Sequence, residues 1–251
     1  MVHDSAELVD FYDRAYSRPP EEAELYSRWR ALGAIGKADH VVGLCERAGL
    51  RPQSVLDVGC GDGALLSELR SRAPATKLAG VEITRQAVAI ARARPGIGPV
   101  ELYDGVRLPF AERAFELGVL SHVLEHVHDP SALLAEVARV CGAVIVEVPL
   151  EANWSARRAD KRAHAAAVGH LQRLDRAAAR AVVARAGLTV AGELEDPLPL
   201  RVHVFFARSA RARATATARW ALRSSARRLA PPLARRAFTL HYACLCLPPG
   251  A

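Results

Sequence analysis

An α/β domain with a mostly parallel sheet and helices on both faces is the fold class this sequence predicts, and three observations predict it. Residues 54–66 read Ser-Val-Leu-Asp-Val-Gly-Cys-Gly-Asp-Gly-Ala-Leu-Leu, a short apolar run broken by Gly59, Gly61 and Gly63 and resumed at helical spacing. Apolar runs of strand length recur near residues 78–83, 100–103, 116–121 and 143–148, as strands buried on both faces would show. Amphipathic helical stretches separate them, the alternation that crossover-connected parallel strands require. With 251 residues, 51% of them hydrophobic and 24% charged, the chain has material for a sizeable core and no signature of disorder.

Taken in order, residues 5–16 and 21–48 read as two helices over the mouth of the sheet, parted by Pro19 and Pro20. Leu8, Phe11, Tyr12 and Ala15 share one face of the first, and Leu25, Trp29 and Leu32 one face of the second. The first strand spans about 54–58 and its helix 62–72; the second spans about 78–82 and its helix 84–93, ended by Pro95, Gly96, Gly98 and Pro99. Strands follow at about 100–103 and 116–121, and then Asp129 and Pro130 cap and open a helix running to Val140. A fifth strand at 143–148 ends on Pro149, and the basic, alanine-rich residues 151–172 read as helix or lid. Asp175 caps a helix to Ala186, Gly187 stops it, a strand follows at about 188–194, and the last strand, 239–247, ends on Pro248. Residues 197–238 then form a mostly helical segment between the last two strands; the alternative makes residues 202–207 the last strand and leaves a tail behind it.

The loop after the first strand points to a ligand. Glycine permits close backbone approach and torsions that other residues avoid, and residues 59–64 also fit G-x-G-x-x-A, the loose dinucleotide pattern. Asp57 and Asp62 speak against a pyrophosphate there and for a ligand carrying an ammonium group. S-adenosylmethionine (SAM) has ammonium, sulfonium, ribose and adenine and no phosphate. Glu82 lies about 20 residues beyond the loop at a strand end, where a carboxylate accepts from ribose hydroxyls. Asp104, at the turn after the third run, is placed to accept from the adenine amino group.

Residues 55–63, 81–83, 104–110 and 121–130, in this order and at these spacings, resemble the class I SAM-dependent methyltransferases, of the type acting on small molecules. The resemblance covers roughly residues 50–195; a departure is Glu116, where many members have aspartate. It implies a Rossmann-like, seven-stranded, mostly parallel sheet whose last strand is antiparallel. It implies one domain over 1–251: an N-terminal helical lid at 1–48, a SAM-binding core at 49–195, a basic helical insertion over the active site at 197–238, and the last strand at 239–247. It also assigns roles. Asp57, Gly59, Cys60 and Gly61 cradle the methionine end, with Tyr16 and Arg28 above it and Arg28 directed at the carboxylate. Glu82 takes the ribose diol, Ile83 packs on the adenine, and Asp104 and Gly105 flank the ring. Ser121 and His122 leave the fourth strand beside the sulfonium. Methyl transfer is an in-line displacement, in which positioning supplies most of the catalysis, and a base is needed only where the nucleophile must lose a proton. His170 and His122 are the candidate catalytic residues. His122 and His126 stand four apart on what reads as one helical face, a metal-like spacing; no third ligand is in view, and no metal is expected.

Charge is asymmetric. The net +7 divides into 16 Lys+Arg against 21 Asp+Glu in residues 1–150 and 18 against 6 in residues 151–251, with no acidic residue beyond Asp196. A basic second half points to an anionic partner: an anionic or lipid-linked small-molecule acceptor, or a membrane surface met through residues 208–236, where arginine alternates with Trp220, Leu222, Leu229 and Leu233. O- or N-methylation in specialised, lipid or sugar metabolism is the leading expectation. A nucleic-acid methyltransferase using the basic half is the alternative, weakened by the absence of an Asn/Asp-Pro-Pro-Tyr/Phe motif after the fourth strand. A non-catalytic SAM-binding module is the third, opposed by an intact Asp57, glycine loop and Glu82. The five cysteines form no metal or disulfide framework, and no leader or apolar span of ~20 residues is read. A cytoplasmic location, with peripheral membrane contact as an option, is therefore expected.

Overall fold

The apolar runs become neighbouring strands of one seven-stranded sheet in the order β3-β2-β1-β4-β5-β7-β6. In this computed structural model, which describes residues 5–73 and 76–249, they are β1 (Ser54–Val58), β2 (Lys77–Glu82), β3 (Val100–Leu102), β4 (Phe115–Ser121), β5 (Cys141–Pro149), β6 (Thr189–Asp196) and β7 (His241–Leu247). The first five pair in parallel, and β7 runs antiparallel between β5 and β6. The strand order reverses between β1 and β4, and the crevice outside the carboxyl ends at such a switch point is where open α/β sheets take ligands.

Helices cover both faces because each presents one apolar stripe. On one face α5 (Pro130–Val140) and α7 (Arg176–Arg185) bury Leu133, Leu134, Val137, Ala179, Val182 and Val183 against β4 and β5. The caps are those expected: Asp129 accepts from the backbone of Ser131 and Ala132, and Asp175 from Ala178. On the other face α3 (Ala64–Arg72) and α4 (Arg85–Arg92) pack on β2, and the C-terminal half of α2 (Pro20–Arg47) packs on α3, β6 and β7. The buried stripe of α2 is Ala34, Ala38, Val41, Leu44 and Cys45, while Leu25, Trp29 and Leu32, on the N-terminal turns, are not fully buried. So α2 is half core and half cover: only its N-terminal turns, with α1 (Ser5–Tyr16), stand over the sheet mouth.

Residues 151–172 form a short 3-10 turn and α6 (Ala159–Ala167). Residues 202–207 add no strand. The chain there makes α8 (Leu200–Val204), followed by α9 (Ala210–Leu229) and α10 (Pro231–Ala237), so the helical segment between β6 and β7 is present. It is tied to α2 through Phe206, whose ring stands 6.0 Å from both Tyr26 and Trp29. It is also held by Trp220, whose indole donates to Leu198 O at 2.8 Å. No residue of α9 is fully buried.

Candidate functional site

The loop leaving β1 is held open by its glycines. Gly59, Gly61 and Gly63 have φ of 72°, 56° and 75°, the left-handed region that glycine enters without cost. Gly59 and Cys60 donate their amides to Val81 O at 2.8 and 3.1 Å, which ties the loop to β2. Cys60 is buried beneath it. The loop's outer face meets Tyr16 of α1, whose hydroxyl lies where any Cβ on Gly61 would have to go.

Two carboxylates fix the loop from below and behind. Asp57 is 2% exposed, and burial pushes its carboxyl up to about 7, Lys37 opposing the shift. Glu82 is also buried. Its Oε2 accepts from the Gly61 amide at 2.9 Å, and its Oε1 from Ile83 at 2.7 Å and Thr84 at 3.3 Å. Burial raises the Glu82 carboxyl and these backbone donors oppose the rise. At the end of β3, Asp104 Oδ1 accepts from the amides of Val106 and Arg107 at 2.8 and 2.7 Å, which hold its carboxyl below the usual range. Gly105 lies against Ile83, where a Cβ would meet its side chain at 3.5 Å. Glu82, Ile83, Asp104 and Gly105 thus form one edge at the ends of β2 and β3, beside the main cavity rather than in its wall.

That cavity, of about 670 Å³, lies over the ends of β1, β4 and β5. Asp57, Gly59, Cys60 and Gly61 form its floor together with Ser121 and His122, and Tyr12, Tyr16, Arg30 and Lys37 form one wall. His164, Ala165, His170 and Arg173 come from residues 151–173, and Leu198, Arg219, Trp220 and Arg223 from the helical insertion. Lys37, Lys161, Arg173, Arg219 and Arg223 all line it, and none has a carboxylate partner among the described residues. Burial, with Arg219 beside it, lowers the Arg223 guanidinium.

Some expected placements change. Arg28 is exposed on α2 and does not line the cavity; Arg30 does. Two residues along a helix is a turn of about 200°, so only one of the two faces inward, and the inward set is Trp29, Arg30, Gly33, Ala34 and Lys37. Asp62 does not add free negative charge to the loop. Its Oδ2 accepts from Arg30 at 3.0 Å and Arg94 at 2.8 Å, so the charge argument against a phosphate rests on Asp57 alone. His122 and His126 share no α-helical face: His122 has φ of 60°, and only Leu124–His126 coil, as a 3-10 turn.

Because of that backbone the two histidines enter different groups, each with a third member. His122 meets Glu147 and His241; His126 meets Glu125 and His170. In the first, His122 Nε2 stands 3.0 Å from His241 Nδ1 and 3.6 Å from Glu147 Oε1. In the second, His126 Nδ1 stands 2.6 Å from the Tyr12 hydroxyl, and His170 Nδ1 2.8 Å from Glu151 Oε2. His40, buried on α2, joins Glu147 and Asp196 at 3.5 and 2.9 Å. Burial works against its protonation, and the two carboxylates overcome that and raise it to about 10. His40, Glu125, Glu147 and His241 were not among the expected site residues. The available signal was Glu147, an acid inside an otherwise apolar buried run.

Comparison with known proteins agrees with this architecture. The profile of a family described as "Methyltransferase domain" matches residues 26–192. The ubiquinone biosynthesis O-methyltransferase of Hahella chejuensis is 36% identical over 101 residues, 38% of this chain and 41% of that protein. Curated relatives are matched over 16% to 51% of their own length. Among solved structures, a magnesium protoporphyrin IX methyltransferase of Synechocystis with bound S-adenosylhomocysteine superposes with a TM-score of 0.59 at 16% identity, over 98% of this chain and 99% of that one. The [4+2]-cyclase SpnF superposes with a TM-score of 0.55 at 18% identity, over 85% of this chain and 82% of that one, so the fold alone does not specify the reaction.

Proposed function

Because the chain belongs to the methyltransferase-domain family, we propose that it transfers a methyl group from SAM to an anionic small-molecule acceptor by O- or N-methylation. One observation carries the proposal: a loop with three left-handed glycines, standing over the buried Asp57 and hydrogen-bonded to Glu82 at the switch point of the sheet. A buried carboxylate beneath a loop of close backbone approach fits a ligand with a cationic end. SAM would be held by Asp57, Gly59 and Gly61 at its amino-acid end, by Glu82 at the ribose, and by Ile83, Asp104 and Gly105 at the adenine. Bound there, it supplies an electrophilic methyl group.

The chain's own residues do the rest. Tyr12, Tyr16 and the N-terminal turns of α2 exclude water from one side, and α6 and the insertion from the other. His170, held through Nδ1 by Glu151, is the candidate to take the acceptor's proton; His122 is the second. Lys37, Lys161, Arg173, Arg219 and Arg223 are the unpaired cations that would hold an anionic acceptor. α1 with the N-terminal turns of α2, and residues 197–238, act as lids on a core of residues 49–195 that the C-terminal half of α2 joins. A cytoplasmic setting, where the five buried thiols stay free, belongs to the same proposal.

Isothermal titration with S-adenosylhomocysteine tests the first half: one site per chain is expected, and no binding at millimolar concentration would sink it. Affinity is expected to be pH-dependent. Asp57 is neutral below about 7 and ionised above it, and a cationic ligand prefers the carboxylate. Binding should therefore tighten about tenfold from about pH 6 to about pH 8. 5′-Methylthioadenosine lacks the ammonium and should show a flat profile; equal profiles for both would remove Asp57 from that contact.

Leu222, Leu229 and Leu233 stay exposed among the arginines of α9 and α10, which favours peripheral contact with an anionic bilayer as a second role. No described helix is long and apolar enough to cross a membrane. Arg223→Glu and Arg228→Glu separate the roles, since Arg223 lines the cavity and Arg228 does not. Arg223→Glu is expected to raise the acceptor KM at least tenfold with S-adenosylhomocysteine binding unchanged. Arg228→Glu should weaken only vesicle pelleting. Loss of turnover in both would refute the division.

A further inference from the structure

We propose that His122, Glu147 and His241 form a binding site for one divalent transition-metal ion at the base of the cavity. These residues come from the end of β4, the end of β5 and the start of β7, so sheet pairing brings them together. His241 pairs with Pro149, two residues beyond Glu147 and on the same face, and His122 donates its backbone amide to Glu147 O at 2.9 Å. The three facing atoms are His122 Nε2, His241 Nδ1 and Glu147 Oε1, separated by 3.0, 3.6 and 3.9 Å. Three tetrahedral ligands at ordinary zinc bond lengths stand about 3.3–3.6 Å apart, so an ion fits among them with small side-chain adjustments. Two imidazoles and one carboxylate suit zinc, iron(II), cobalt or manganese rather than calcium.

Independent features prepare the Glu147 and His122 donor atoms. Glu147 is 1% exposed, and its Oε1 is a buried oxygen with no hydrogen bond among the described residues. Its other oxygen, Oε2, accepts from the Ser121 hydroxyl at 3.3 Å, and Oε1 faces His122 and His241 on one side and His40 Nδ1, at 3.5 Å, on the other. His122 Nδ1 stands 3.2 Å from Glu125 Oε1. A carboxylate at one ring nitrogen is the arrangement that orients a ligating histidine and leaves the other nitrogen's lone pair for the metal. His122 keeps this aim only by holding φ at 60°, an uncommon conformation for a side-chain-bearing residue and one that clusters at functional sites. Behind the carboxylate, Asp196 and His40 form a further layer, with Asp196 balancing the His40 charge.

Without metal, one of the two imidazoles must donate to the other across 3.0 Å. Binding moves that proton to the ring's other nitrogen, so each neutral imidazole presents a lone pair to the ion. His122 and His241 line the cavity, so the remaining coordination position opens into the chamber that would hold the acceptor. There an acceptor oxygen would be bound and, if a hydroxyl, made more acidic. Only this last role rests on the methyl-transfer reading; the site itself does not.

The test uses the full chain without an affinity tag, stripped with chelator and titrated with Co²⁺ alone, followed by its visible ligand-field absorption, and with Zn²⁺ by calorimetry. One equivalent of each is expected. His241→Gln and Glu147→Gln should weaken binding more than about 100-fold, and Glu125→Gln, which only orients His122, about 10–100-fold. Far-UV circular dichroism and S-adenosylhomocysteine affinity establish that the variants are folded. Substoichiometric metal in the parent protein, or unchanged affinity in folded His241→Gln and Glu125→Gln, overturns the proposal. Metal binding without S-adenosylhomocysteine binding would uphold this site and reject the methyl-transfer reading; the reverse would do the opposite.

Discussion

Replacing Gly61 with valine is expected to abolish S-adenosylhomocysteine binding while the sheet remains folded. At φ of 56° a side-chain-bearing residue costs about 1–2 kcal/mol, and a β-branched one more. The new Cβ would also overlap the Tyr16 hydroxyl, which packs directly on this glycine. Either Tyr16 is expelled or the loop rotates, and rotation breaks the bond from the Gly61 amide to Glu82. Both outcomes dismantle the cradle, and a loss of at least 100-fold in calorimetric affinity is expected. The fold should survive because the loop lies outside both core clusters apart from Cys60, whose burial does not depend on the Gly61 side. Normal binding by this variant would mean that the ligand does not rest on the loop.

Gly98→Ala is expected to have the largest effect on stability. Gly98 precedes β3 with φ of 81°, and a Cβ there would overlap the Leu78 carbonyl oxygen and lie 2.8 Å from its carbon. No flexible side chain can yield, because the obstacle is the backbone of β2. That strand is fixed at this level by Gly80, whose amide donates to Pro99 O at 2.9 Å. Relief requires peeling β3 and the buried Ile97 away from β2. A cost of about 3–5 kcal/mol follows, lowering the melting temperature by about 10 °C or more for a chain of this size. Gly33→Ala is the control: it lies within α2 and its Cβ would meet nothing within 4 Å. It should be neutral or slightly stabilising. Similar melting temperatures for the two variants would contradict the packing described around Gly98.

What was legible in the sequence was what is local. The glycine loop announced itself because its residues are consecutive and their requirement, left-handed backbone, is met by one amino acid. Glu82 and Asp104 were legible because each stands at the end of an apolar run, and Asp129 and Asp175 because a cap acts within three residues. Pairing across the sheet was not legible. Nothing within residues 141–149 says that His241 will face Glu147, since that depends on β7 inserting antiparallel between β5 and β6. Arg28 and Arg30 could not be told apart because α2 has charges on several sides and its burial is decided by what it lies against. Asp62 read as an open charge because Arg94, which neutralises it, lies 32 residues away in a loop.

The position of β7 has one more consequence. It runs antiparallel beside β6, so Asp196, where the insertion departs, sits opposite His241, where the chain returns. Both feet of the 197–240 excursion therefore stand on the same rim. A segment anchored this way can be lengthened, shortened or exchanged between related chains at small entropic cost, without moving a strand. On the function proposed above, the cations Arg219 and Arg223 that would hold the acceptor ride on this excursion, an interchangeable cassette clamped at both ends to the sheet.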